Sequence, residues 1–306
     1  MPRFDRIYRL LVGKPGQTGV EIAPPLRITF DVSKDTSEEP NKIKIKIWNL
    51  SLTTRETMVE PDNVVALYAG YAQEDGALLM AYGTLLHGRT YTDGVDMITE
   101  LDVRDGFAQI RDTVVSLGCA PGVRARSIVQ DIARKMGLRL KMAADVPDRV
   151  WQNGFSYYGA AHVALHKVVQ GTGLEYSIQN GELQVIRRGG VTPREGFVLA
   201  ADSGLVGVPE RVGESAREKA RQDSQKTDDN QKTVSSRQQS DGWSVKSLLL
   251  PTLNPGDLVK LECSAATDWF RIETVQHKGD WSGQGEWITE LKLASRHAVS
   301  KEKGKP

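Results

Sequence analysis

His162 and His166 stand four residues apart in GAAHVALHKVVQG, the spacing at which two metal ligands share one helix face. Residue 163 is valine where a zinc protease helix carries glutamate, and no third ligand announces itself. The pair is therefore read as packing or solvent contact rather than a metal centre. Paired carboxylates occur at Asp102 with Asp105 and at Asp228 with Asp229, where one could serve as acid and one as base. The first pair fits a strand end entering a turn. The second lies in a polar run where nothing preorganises a pocket to shift a carboxyl pKa. There is no glycine-rich phosphate loop, G-x-S-x-G elbow or Cys/His nucleophile arrangement. The expectation is a protein with no catalytic residues, no metal and no cofactor.

Contact chemistry is better represented. In KIKIKIWNLS, residues 42–51, period-two alternation puts Ile43, Ile45 and Ile47 on a buried strand face. Lys42, Lys44 and Lys46 fall on the opposite face and Trp48 shares it by parity, so these four are the binding-contact candidates. Trp48 either rests on lysine stems or touches a partner. Trp281 and Trp287 flank the SGQG turn at 282–285, and with Trp269 they read as core and cross-strand pairing before a binding surface.

The elements that would position these residues follow from pattern. Strands are expected at 6–12, 26–32, 42–48, 64–71, 78–86 and 97–103, with hairpin signals at Asp75-Gly76 and Asp93-Gly94. Thr53-Thr54-Arg55-Glu56 reads as a capping box, with Thr53 the cap of a short helix. ARSIVQDIARKMG predicts an amphipathic helix ended by Gly137, a second helix stops at Gly171, and Asn180-Gly181 joins two strands as a type I′ hairpin. Strands resume at 244–250, 256–264, 269–277 and 287–295. The expected domains are a β-barrel at 1–105, an α+β unit at 106–200, a second barrel at 201–297 with a polar mobile insertion at 214–241, and a basic tail at 298–306.

Composition bounds the function classes. The 306 residues are 39% hydrophobic and 26% charged, with 40 Lys+Arg against 39 Asp+Glu, so nothing pulls the whole chain toward nucleic acid or anionic lipid. Two distant cysteines fit neither a disulfide scaffold nor a zinc site. No run of eighteen apolar residues and no signal h-region is visible, which predicts a soluble chain made in the cytoplasm without membrane insertion of its own.

The two β regions also echo one another. Thr84, His87, Thr99, Glu100 and Leu101 recur as Thr274, His277, Thr289, Glu290 and Leu291, all displaced by 190 positions. VVAL at 64–67 and LVKL at 258–261 match at a slightly different offset. The expectation is a duplicated barrel, with His87 and His277 making one shared hydrogen bond.

NKIKIKIWNLS with TTRET, then AGY at 69–71, then Asp105-Gly106, resembles the opening of baseplate hub proteins from long-tailed bacteriophages. LLLPTLNPGDLVKLECS, FRIETVQHKGDW and WITELKL at 248–293 resemble that family's closing barrel, especially Pro251, Pro255-Gly256-Asp257 and His277-Lys278-Gly279-Asp280. The resemblance implies a mainly β fold with two tail-tube-like antiparallel barrels flanking an α+β insert. It implies a homotrimer in the virion, at the baseplate of the tail, whose six barrels continue a sixfold tube while the threefold axis seats a central spike. DNA would pass transiently through the lumen, and other baseplate proteins would be neighbours. Segment 214–241 has no counterpart in that family. The alternatives are a tail-tip component that binds glycan or degrades peptidoglycan, a monomeric adaptor, and the hub of a phage-like secretion or contractile injection machine.

Overall fold

The computed structural model describes residues 5–143, 146–212 and 242–295. The polar run 214–241, with Asp228 and Asp229, and the tail 298–306 lie outside the described residues. Among the described residues no helix is long and apolar enough to cross a membrane.

The first part of the chain is β1 (Arg6–Gly13), β2 (Val20–Ile22), β3 (Ile28–Asp35), β4 (Lys42–Trp48), α1 (Leu52–Met58), β5 (Val64–Tyr71), β6 (Gly76–Asp93) and β7 (Asp96–Arg104). Isoleucine at every second position of β4 is fully buried, since period-two alternation sends one face inward. They meet Leu10, Leu67, Met80 and Leu101 in one core. The cap of α1 is Ser51, not Thr53: its side chain accepts the Thr54 N–H, and Thr53 already lies inside the helix. A helix started two residues earlier than the capping-box pattern suggests, because Asn49 at φ 55 turns the chain out of β4.

The middle part is α2 (Phe107–Asp112), β8 (Val114–Cys119), β9 (Val123–Arg124), α3 (Ala125–Lys135), β10 (Arg139–Met142), β11 (Val150–Trp151), β12 (Phe155–Ala160), α4 (Ala161–Val169), β13 (Leu174–Gln179) and β14 (Glu182–Arg187). Helix α3 buries Ile128, Val129, Ile132 and Ala133 on one stripe. It ends at Gly137 in the left-handed conformation, φ 69, where a glycine carries no Cβ penalty. Asn180 and Gly181 both have positive φ, as a type I′ turn requires. This unit has its own core.

The last part is β15 (Phe197–Ala200), β16 (Leu205–Val212), β17 (Gly242–Leu248), β18 (Leu258–Glu262), β19 (Thr267–Asp280) and β20 (Trp287–Ser295). Residues 197–200, which fall in the range read as α+β, pair in parallel with β18 and send Leu199 into the third core.

The two β halves are joined into one sheet of 13 strands, ordered β16-β17-β20-β19-β3-β4-β7-β6-β5-β1-β2, with β18 and β15 branching from β19. Five strands of each half repeat in the same order, and beyond them the halves differ, since β1 runs antiparallel to β5 whereas β15 runs parallel to β18. β3-β4-β7-β6-β5 in the first half corresponds to β16-β17-β20-β19-β18 in the second. Leu101 lies opposite Ile45 and Leu291 opposite Val245, and the glutamates Glu100 and Glu290 face Lys46 and Lys246. The long strand of each hairpin is interrupted by a one-residue bulge, at Leu86 in β6 and at Glu273 in β19. Those bulges are 187 positions apart, whereas Leu101 and Leu291 are 190 apart. The difference is three extra residues in the β19–β20 loop.

That difference overturns one expectation. His87 lies opposite Asp102 and is exposed, whereas His277 lies opposite Thr289 and is wholly buried. The structural counterpart of His277 is Thr90, whose hydroxyl lies 3.3 Å from that of Thr99, as His277 Nδ1 lies 2.9 Å from that of Thr289.

Candidate assembly surfaces and the node that orients them

The lysine face of β4 meets acidic residues of the same chain. Lys44 lies opposite Asp31 on β3 and Asp102 on β7, and Lys46 lies opposite Glu100. Although burial works against it, Glu100 keeps a lowered pKa through Arg89, Lys46 and Lys44. Trp48 sits beneath the Arg27 guanidinium, 4.4 Å from the ring centroid. Arg27 in turn holds Asp280 at 2.9 Å, so the candidate tryptophan is engaged within the chain. Lys42 and Lys44 keep exposed side chains, and Lys46 and Trp48 are half-buried.

The remaining sequence candidates do not converge. His162 Nδ1 meets the Ile110 carbonyl at 3.2 Å and His166 Nδ1 meets Glu38 at 2.9 Å, tying α4 to its neighbours. Among the described residues no group of three His, Cys, Asp or Glu side chains could hold a metal. Asp102 pairs with Arg104, while Asp105 is buried and turned away to the α+β unit. Of the tryptophans of the last hairpin, Trp287 is a core residue of the first half, Trp281 packs half-buried against the same core, and half-buried Trp269 belongs to none of the three cores. Trp287 packs edge-on to Phe30 with centroids 5.1 Å apart, and Trp281 meets Tyr8 and donates to the Arg6 carbonyl at 3.0 Å.

A polar node that sequence reasoning missed lies where the three parts of the chain meet. Lys34 is 3% exposed and donates to the Met80 carbonyl at 2.6 Å, Asn180 Oδ1 at 2.9 Å and Asn254 Oδ1 at 2.9 Å. These acceptors come from the first half, the α+β unit and the second half. Asp105 accepts the backbone N–H groups of Asn180 and Gly181, the latter at 3.0 Å. Asp257 accepts from Thr192 at 2.6 Å and Arg194 at 2.8 Å. Burial pushes Lys34 down to about 8 and Asp105 up to about 6, each opposed by the charge of the other. One signal was available in the sequence. Ile28, Phe30 and Val32 set an inward parity on β3, and Lys34 continues it.

Strand pairing finishes the geometry. Inside the chain the outer stretch of β19, residues 274–280, pairs antiparallel with β3. The corresponding stretch of β6, residues 87–93, has β7 on one side and no strand on the other among the described residues, and β16 ends the sheet in the same way. One chain thus carries one junction between its halves and two strand stretches that, among the described residues, have a neighbour on one side only.

Solved structures share this architecture. A 43 kDa tail protein of prophage MuSo2 from Shewanella oneidensis matches 95% of this chain and 98% of its own, at TM-score 0.62 and 11% identity. A tail protein from Neisseria meningitidis MC58 matches 94% of this chain and 96% of its own, at TM-score 0.61 and 13% identity. The chain has the fold of these tail proteins. An Escherichia coli component of the type VI secretion system, itself similar to T4 bacteriophage tail proteins, matches 92% of this chain and 76% of its own, at TM-score 0.57 and 11% identity. No family model and no curated protein sequence matches the chain. The likeness runs over nearly the whole chain, so it takes in the β halves and the α+β unit together.

Proposed function

We propose that this protein is a structural hub of a phage tail baseplate, without chemistry of its own. Three copies assemble into a ring of six equivalent β halves that abuts a sixfold tail tube, while the threefold axis seats a spike. DNA passes through the lumen during ejection, and further baseplate proteins pack outside, in the virion. The observation that carries this reading is the repeat. Two halves of matching strand order, bulge position and register let a threefold assembly present a sixfold surface. The charge pattern supports it too. Lys44, Lys46 and Lys246 on the solvated sheet face are matched by Asp31, Asp102, Glu100 and Glu290, so this wall would not hold phosphate strongly. The likeness to a type VI secretion component favours a second version of the same role, the hub of a phage-like injection machine.

Light scattering on the purified chain tests the stoichiometry: the expected mass is three times 33.7 kDa. A monomer, dimer or tetramer at micromolar concentration overturns the proposal. Incubation with peptidoglycan tests the absence of chemistry, and release of sugar or peptide would overturn that part.

A further inference from the structure

We infer that neighbouring copies join by one defined strand pairing, in which residues 87–93 of β6 accept the β16 edge of the next copy in antiparallel register. The inference rests on the trimer reading and names the edges and the register, which stoichiometry alone does not.

The template is the junction inside the chain. There Gln276, His277, Lys278 and Asp280 of β19 lie opposite Ser33, Val32, Asp31 and Thr29 of β3. The register of the two hairpins maps β19 onto β6, with Gln276 onto Arg89, His277 onto Thr90 and Lys278 onto Tyr91. The pairing of β3 with β4 and of β16 with β17 maps the partner strand. Thr29 goes onto Val206, then Asp31, Val32 and Ser33 onto Glu210, Arg211 and Val212, after a bulge in β16. The inferred pairs between copies are therefore Arg89 with Val212, Thr90 with Arg211, Tyr91 with Glu210 and Asp93 with Val206.

Three features of the two edges fit each other. Within the chain Gln276 donates to Asp31 at 2.9 Å, diagonally across the seam. The same diagonal between copies places Arg89 against Glu210, an oppositely charged pair. The edges also expose apolar side chains that a soluble surface would shed, Leu86 on β6 and Val206 and Val208 on β16, the last 71% exposed. Finally, Pro209, which would break a ladder, sits in the β16 bulge, where no ladder bond is required of it. A seven-residue unpaired edge is otherwise a site of uncontrolled association.

The test uses the full chain with Cys119 and Cys263 replaced by serine. Thr90→Cys with Arg211→Cys should form covalent species of up to three chains on oxidation. The rate should exceed that of the register-shifted pair Thr92→Cys with Arg211→Cys by about tenfold, because a disulfide tolerates little extra Cα separation. In the unaltered protein, those amides of 87–93 and of 206–212 that point away from β7 and β17 should exchange slowly in the trimer and fast after dilution to monomer, Pro209 having no amide hydrogen. Equal cross-linking of both pairs, fast exchange in the trimer, or equal protection in the monomer overturns the inference. Light scattering on the same samples separates the two failures. A trimer without the cross-link sinks only the register, whereas a persistent monomer sinks the trimer reading.

Discussion

Replacing Lys34 by methionine should loosen the joint between the three units without emptying any of their cores. Methionine keeps most of the side-chain volume but removes three donated bonds, to Met80, Asn180 and Asn254. It also leaves Asp105, itself 1% exposed, without the cation that favours its ionised form. Breaking a buried pair on one side costs about 3–5 kcal/mol. Three bonds from a charged donor, at about 1.5–3 kcal/mol each, would exceed that figure, but the variant regains the desolvation cost of the buried ammonium. The expected loss is therefore about 3–5 kcal/mol. The assay is urea unfolding at pH 7, with K34M, Asp105→Asn and the double variant in one cycle. Each single change should be costly, and the double should cost at least about 2 kcal/mol less than their sum, since the second removes a charge the first left stranded. A K34M variant within about 1 kcal/mol of the parent, or a strictly additive cycle, would refute the reasoning.

Other outcomes follow from particular contacts. Burial holds the His277 pKa well below its ordinary 6.5 and nearby Lys34 adds to this, so its stabilisation is present above pH 6.5 and lost as pH falls toward the depressed folded value. Asp105, raised to about 6, stabilises the fold as it takes up a proton below that pH and so opposes the loss. The readout is thus the difference between parent and His277→Gln, which should change by about 1.4 kcal/mol per pH unit below 6.5; parallel pH profiles would contradict it. At Gly279 an added Cβ would meet the Phe30 ring at 2.1 Å, so Gly279→Ala should cost about 1–3 kcal/mol in a thermal melt, and a neutral result would mean that Phe30 does not cover this glycine. Trp281→Ala should cost about 2–3 kcal/mol by removing the contact with Tyr8 and the bond to Arg6. Trp48→Ala should cost about 1 kcal/mol and leave the mass of the assembly unchanged, because its ring is engaged by Arg27 of the same chain.

Much of the architecture was legible from local pattern. β4 and β5 fall where alternation put them, at Lys42–Trp48 and Val64–Tyr71, because each has one face in a core and one in water. The hairpin at Asn180-Gly181 and the end of α3 at Gly137 were announced by residues that tolerate positive φ. β6 was expected to stop at 86 but runs to Asp93. Its outer stretch, HGRTYTD, carries no apolar alternation, since neither face of it enters a core. The repeat was visible as matched residues, yet only three of its five identities are structural equivalents. Thr84 and His87 share the 190 offset by coincidence, because a loop of different length breaks a constant displacement.

The sequence by itself determined the elements with a clear period or turn signal, such as β4, β5, α3 and the β13–β14 hairpin, and the sidedness of each, since period and turn chemistry act within a few residues. Which faces meet was decided by tertiary structure alone. Lys34 finds acceptors 46, 146 and 220 positions away, and Trp281 reaches back 275 positions to Arg6. Alternation records that a side chain is hidden, but it carries no information about what hides it. The buried lysine and the shared tryptophans therefore emerge only once one sheet has brought the two ends of the chain together.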